Sequence, residues 1–279
     1  MATPILTWPG VRDTLKTMRR FTLTAPWNRL SLTRSNASTA GLYTPGLAFT
    51  STPGPLLMIV GLCGGAGATT LAYLIAATAA RQSRPPVLVC DTGGPTAGLS
   101  TYTGVQSPRT LAETSQLLAD GLPCGGELFV EAERRLRVIA GAPQFTLTGD
   151  AEAIHHILRD ARDAHALTVI DGGTLSRTAE HAALAVATHV AWMLPASESA
   201  LTRARCTLGR IAPLGRPEII IARGERGNPP MRALKELADS RRAPLILMPY
   251  LPALSARQPP EVSEEAMLTL QAIGGVLQR

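Results

Sequence analysis

The chain has 279 residues, 45% hydrophobic but only 4% aromatic, enough to fill one large α/β core and poorly suited to a β-sandwich. Its net charge of +6 sits mostly at one end, where residues 1–52 hold Arg12, Lys16, Arg19, Arg20, Arg29 and Arg34 against Asp13 alone. The rest is nearly neutral, which excludes a uniformly basic surface.

Residues 1–52 read as a basic arm rich in Pro, Ser and Thr, largely irregular or carrying one short amphipathic helix. In "VRDTLKTMRRFTL", Val11, Leu15, Met18 and Phe21 fall on one helical face, flanked by Trp8 and Trp27. Residues 8–27 are expected to strap onto the domain or to meet a partner or a membrane surface. Pro9, Arg12 and Asp13 interrupt the apolar core that a secretory signal needs.

From 53 to 279 the chain reads as one domain in which apolar runs alternate with helical patterns. The patterns predict strands at 56–61, 87–91, 135–140, 166–171, 188–194, 217–222 and 244–248. Helices are predicted at 69–81, 108–120, 151–163, 178–186, 198–211, 230–241 and 261–277. The expected fold is α/β: a doubly wound, mostly parallel sheet of about seven strands flanked by helices. Leu56 to Ala80 runs 25 residues without a charge, long enough to cross a bilayer. Glycines and threonines break its middle and its halves differ in period, so strand, turn and helix is the better reading.

That turn is the first chemical signal. In "MIVGLCGGAGATTLAYL", Gly64, Gly65 and Gly67 let backbone N–H groups curl inward, and the helix opened by Thr69 and Thr70 adds its positive end. Such a nest suits an anion, with phosphates of ATP or ADP as the candidate ligand and Gly64, Gly65, Gly67, Ala68, Thr69 and Thr70 as the candidate nucleotide-binding set. Thr69 stands where a hydroxyl usually meets Mg²⁺. Asp91 ends "VLVCD" and Asp171 ends "LTVID", so Thr69, Asp91 and Asp171 form the expected Mg²⁺ set, and the two aspartates are the candidate catalytic groups of an active enzyme.

Taken together, residues 56–279 resemble the ParA/MinD family of deviant-Walker P-loop ATPases, whose loop reads KGGxGKTT. Cys63-Gly64-Gly65-Ala66-Gly67-Ala68-Thr69-Thr70 matches it except at the two lysines, which are Cys63 and Ala68 here. "PVLVCDTGGPTAGLSTYTG" resembles the family's second strand and switch region, "ALTVIDGGT" its Walker B strand. "HVAWMLPASESALTRARCTL", "EIIIARGERG" and "APLILMPYLP" follow in family order. After "EIII" the family commonly has an Asn that helps hold adenine, whereas this chain has Ala222 and Arg223.

Only Lys16 and Lys235 occur in the protein, and neither is placed to replace a loop lysine. A charge-assisted hydrogen bond is worth about 1.5–3 kcal/mol, so its loss weakens phosphate binding roughly ten- to over a hundredfold. Phosphoryl transfer suffers more, because its developing charge must be met by cations. Arg109, Arg223 and Arg226 are candidate donors. The resemblance therefore implies a pseudo-ATPase, a positioning or scaffolding factor for cell division, partitioning, or pilus, secretion or conjugation machinery. It implies a protein partner and a homodimer. The alternative is a slow Mg²⁺-dependent ATPase with a non-standard loop.

Other readings are weaker. A dehydrogenase could use Asp91 to hold a ribose, but the third glycine of GxGxxG is missing. Nonspecific DNA binding has candidates in Arg203, Arg205 and Arg210 and in Arg232, Lys235, Arg241 and Arg242, diluted by Glu236 and Asp239. Cys63, Cys90, Cys124 and Cys206 show no CxxC pair and no metal spacing, so reduced thiols in the cytoplasm, with a peripheral membrane contact as the variant, are expected. His155 and His156 are adjacent and point to different helix faces, a poor metal pair.

Overall fold

The run Leu56–Gly61 forms a strand, β1, at the interior of an eight-stranded sheet, because its apolar side chains can be buried on both faces at once. The computed structural model describes residues 47, 49, 51–92, 98–105, 107, 109–121, 128–140, 149–225, 228–250 and 262–279. The other strands are β2 (Val87–Asp91), β3 (Val130–Glu133), β4 (Leu136–Ile139), β5 (Leu167–Asp171), β6 (His189–Pro195), β7 (Glu218–Arg223) and β8 (Leu245–Met248). Their order is β3-β4-β2-β5-β1-β6-β7-β8, parallel throughout except for β3 against β4.

The described helices are α1 (Ala68–Gln82), α2 (Gly98–Thr103), α3 (Leu111–Ala119), α4 (Ala151–Ala164), α5 (Thr178–Val186), α6 (Glu198–Leu208), α7 (Met231–Ser240) and α8 (Glu264–Leu277). Successive residues of each strand feed opposite cores. Leu57, Ile59, Val89 and Met193 pack with α1, α2 and α8, while Met58, Val60, Cys90 and Trp192 pack with α3 to α7. This is the doubly wound arrangement that the alternating patterns predict. The 25-residue uncharged run is β1, a turn and the first part of α1, and no helix among the described residues is long and apolar enough to cross a membrane.

The sequence reading missed two elements. Strand β3 is "VEAE", half exposed and bulged between Glu131 and Glu133; its charged edge resists further pairing but removes the apolar signal of a strand. Helix α2, "GLSTYT", is too short and polar for periodicity to show. Packing also starts ahead of residue 53, for Leu47 and Phe49 are buried, their N–H groups donating to Gln82 Oε1 (3.1 Å) and Ser83 Oγ (3.0 Å). The expected helix and contacts of 8–27 lie outside the described residues, as does Cys124.

At the end of the sheet where β7 begins, Glu218 and Arg241 form a buried pair. Arg241 donates to Glu218 Oε2 through Nε (2.9 Å) and Nη2 (2.7 Å), and Trp192 Nε1 donates to the same oxygen (2.6 Å). Arg241 is therefore committed to the fold, which removes it from the candidate DNA contacts. Arg205 and Arg232 both reach Glu236, at 3.3 and 3.0 Å, so neither presents an unopposed charge.

His165 and His189 are buried, and burial lowers the pKa of each below 6.5, with Arg137 adding to the effect at His165 and Arg162 at His189. Since the folded state favours the neutral rings, their contribution is intact above pH 6.5 and is lost as pH falls through the lowered values. Thermal melts between pH 7.5 and 5.5 are expected to show stability falling by up to about 1.4 kcal/mol per pH unit for each ring. Substituting Gln at both positions should flatten that slope, and an unchanged slope would refute the assignment.

Candidate functional site

At the end of β1 the chain turns sharply. The Gly61 N–H donates to Gly173 O and the Leu62 N–H to Met193 O, both at 2.8 Å, which ties the turn to the residues after β5 and to β6. Gly65 (φ 72°) and Gly67 (φ 98°) then take left-handed conformations that residues with a Cβ rarely adopt. Gly67 caps α1 and, as a glycine, offers no side-chain acceptor to the first N–H groups of this 15-residue helix. A Cβ added at Gly64 or Gly65 would meet nothing within 4 Å, which leaves that face of the turn open.

Gly64, Gly65, Gly67, Ala68, Thr69, Thr70, Asp91 and Asp171 all line one cavity of about 610 Å³. Parallel pairing brings the two acids together, since Asp91 on β2 stands in register with Asp171 on β5. Thr69 Oγ1 donates to Asp171 Oδ2 at 2.5 Å, and the Gly173 N–H donates to Oδ1 at 3.3 Å. Burial raises the Asp171 pKa, opposed by these two hydrogen bonds and reinforced by Glu180.

Several lining residues escaped the sequence reading. Tyr102 on α2 shares a 2.9 Å hydrogen bond with Thr70 and stacks on Tyr73 at 5.8 Å. Glu180, 3% exposed, accepts from the Ser176 and Arg177 N–H groups at the head of α5. Its position three residues after Arg177, at the start of a helical pattern, was the available signal. Cys63, at the first lysine position, also lines the cavity, where burial raises its pKa against the pull of Arg203 and Arg223.

Of the two candidate arginine donors among the described residues, Arg223 is brought to the cavity. Its Nη1 donates to Gly65 O at 2.8 Å, Nη2 pairs with Glu225, and the guanidinium lies 5.9 Å from the centre of the Tyr250 ring. Arg109 is exposed and does not line the cavity, and Arg226 lies outside the described residues.

The donor set fits a magnesium nucleotide. The backbone N–H groups of a glycine turn opening a helix suit phosphate oxygens, while the Thr69 hydroxyl and the Asp91 and Asp171 carboxylates are the hard ligands Mg²⁺ prefers alongside phosphate and water. Among the described residues no cluster of three or more His, Cys, Asp or Glu could hold a metal by itself.

No family model matches the chain, and no curated protein resembles it in sequence. Solved structures do match. The cell division ATPase MinD of Pyrococcus furiosus superposes with a TM-score of 0.63 at 19% identity, over 81% of this chain and 98% of its own. A ParA family ATPase from Chlorobium tepidum gives 0.59 at 17% identity, over 80% and 90%. A putative plasmid partition protein from Borrelia burgdorferi, bound to AMPPNP, gives 0.60 at 14% identity, over 81% and 98%. The chain has the ParA/MinD fold. Within that fold the glycine turn follows β1, and Asp91 and Asp171 end β2 and β5.

Proposed function

We propose that this protein is a ParA/MinD-like pseudo-ATPase that positions or scaffolds a larger assembly, with weak or absent nucleotide turnover. The observation that carries the reading is the lining of the cavity: the glycine turn, Thr69 and both aspartates are present, while Cys63 and Ala68 stand at the lysine positions and no lysine among the described residues lines the space. Two of the similar structures are a cell division ATPase and a putative plasmid partition protein, which favours a spatial role in division, partitioning, or pilus, secretion or conjugation machinery.

ATP or ADP would be held by Gly64, Gly65, Gly67, Ala68, Thr69 and Thr70, with Mg²⁺ at Thr69, Asp91 and Asp171. The metal, when bound, neutralises phosphate charge beside the two acids. Residues 1–52 would serve as the attachment arm, with 8–27 meeting a protein or the inner face of the plasma membrane. A homodimer is the expected assembly, and nonspecific DNA binding is not favoured because Arg205 and Arg232 share Glu236 and Arg241 is buried.

A slow ATPase is the second reading, favoured by Arg223 at the cavity wall. The two separate in a phosphate-release assay. With ATP and Mg²⁺ the protein is expected to release phosphate no faster than a protein-free control. Turnover that Asp171→Ala abolishes would replace the pseudo-ATPase with the slow enzyme.

A further inference from the structure

Arg223 ends β7, and its backbone is pinned. Its carbonyl accepts from the Ala196 N–H at 2.8 Å, it pairs in register with Pro195 on β6 and Met248 on β8, and the next N–H, of Gly224, donates to Met248 O at 2.7 Å. Only the side chain can exchange partners. It reaches across to the turn after β1, where a Cβ on Gly67 would lie 3.5 Å from Nη1 and 3.7 Å from Cδ. A guanidinium thus stands against the residue that caps α1, one position before the Ala68 that lacks an ammonium. Among the described residues, Arg223 and Arg177 bring cationic side chains to the cavity lining, and Arg223 contacts the glycine turn.

Its present contacts are of a kind an anion can replace. Gly65 O is one lone neutral acceptor, and Glu225, whose side chain is 35% exposed, can return to water when released. Nε is buried with no hydrogen-bond partner, so the guanidinium has donor capacity in reserve. A planar fork of donors suits phosphate oxygens, which can be bound two at a time.

We infer that Arg223 replaces the missing loop lysine as the cation that receives the phosphates of a nucleotide, releasing Gly65 O and Glu225 as it does so. The inference rests on the reading of the turn as a phosphate nest, and it adds how a loop without lysine keeps its ligand. Arg223 is a binding residue here, and nothing in the inference requires hydrolysis.

The test is equilibrium binding of ATP and Mg²⁺ to the full chain by calorimetry, with thermal melts to establish that each variant is folded. Wild type is expected to bind saturably and Arg223→Ala at least tenfold more weakly. Adding Ala68→Lys to Arg223→Ala should recover much of the loss, since it returns a cation to the loop. Glu225→Gln should tighten binding severalfold by removing the competing carboxylate, and it stands as an independent arm should Arg223→Ala fail to fold. Inorganic triphosphate should show the same dependence on Arg223.

Equal or tighter binding by Arg223→Ala would make the guanidinium a plug and overturn the inference, as would Glu225→Gln binding no better than wild type. An Arg223 dependence seen with adenosine alone would move the contact to the base, with the same result. Absence of any wild-type binding also ends it, while leaving a positioning role intact. Brisk phosphate release, in contrast, ends the pseudo-ATPase reading and leaves the role of Arg223 standing.

Discussion

Glu218→Ala is expected to lower the stability of the domain by about 3–5 kcal/mol, because it strands a buried guanidinium. Arg241 is 7% exposed and Glu218 6%, so neither charge can recover its hydration in place. The carboxylate accepts from Arg241, from Trp192 Nε1 and, through Oε1, from the Leu214 N–H at 2.9 Å. Removing it takes the acceptor from four donor groups, Arg241 Nε and Nη2, Trp192 Nε1 and the Leu214 N–H, though Arg241 keeps Ile211 O and Ala212 O at 2.5 and 3.2 Å. A chain of this size loses roughly 2–4 °C of Tm per kcal/mol, so the shift should be about 6–20 °C. Replacing both partners with methionine should cost far less than Glu218→Ala, since an intact buried pair is only weakly stabilising relative to well-packed apolar groups. Urea unfolding of the single and double variants measures this. A single variant within 1 kcal/mol of wild type would mean, against the burial seen here, that water reaches the pair.

Gly54→Ala should be nearly as damaging, at about 3 kcal/mol, for a steric reason. An added Cβ would sit 2.1 Å from Ala166 O and 2.6 Å from His165 O, both backbone atoms, so no side-chain rotation relieves the contact. The glycine is also bonded where it lies. Its N–H donates to Arg162 O and His165 O at 3.2 Å each, and its carbonyl accepts from Arg162 Nε at 2.9 Å. The segment entering β1 would have to shift away from the junction of α4 and β5, disturbing the strand that carries the glycine turn. Differential scanning calorimetry should report the loss, with Gly275→Ala as the contrast, since a Cβ there meets nothing within 4 Å. Equal melting of the two variants would refute the steric account.

These two sites bracket the candidate cavity without entering it. Glu218 and Arg241 fix the register of β7 at its start, and β7 delivers Arg223 at its end. Gly54 sets the approach of β1, which delivers the turn. Both sides of the contact between Arg223 and Gly65 thus depend on packing at the opposite edge of the sheet.

Much of this was legible in the residues. The glycine turn and its flanking strand and helix lie within Leu56–Gln82, so period, turn residues and helix opening all read locally. Asp91 and Asp171 were legible as ends of apolar strands, and a parallel sheet places such ends on one edge. Strand β3 was not, because an edge strand of alternating acids carries no apolar stripe.

The amino-acid order by itself determined most of the segments that become strands and helices, β3 and α2 excepted, and that a phosphate-type turn lacks its lysines, because both are properties of near neighbours along the chain. Which arginine stands in the cavity and which is buried was decided only by tertiary structure. Arg223 and Gly65 are 158 positions apart, and Arg241 meets Glu218 and Trp192 only once α7 has packed beside β7 and β8. A guanidinium has the same local propensity in either setting; its role is set by which carbonyls and carboxylates the folded sheet brings within 3 Å of it.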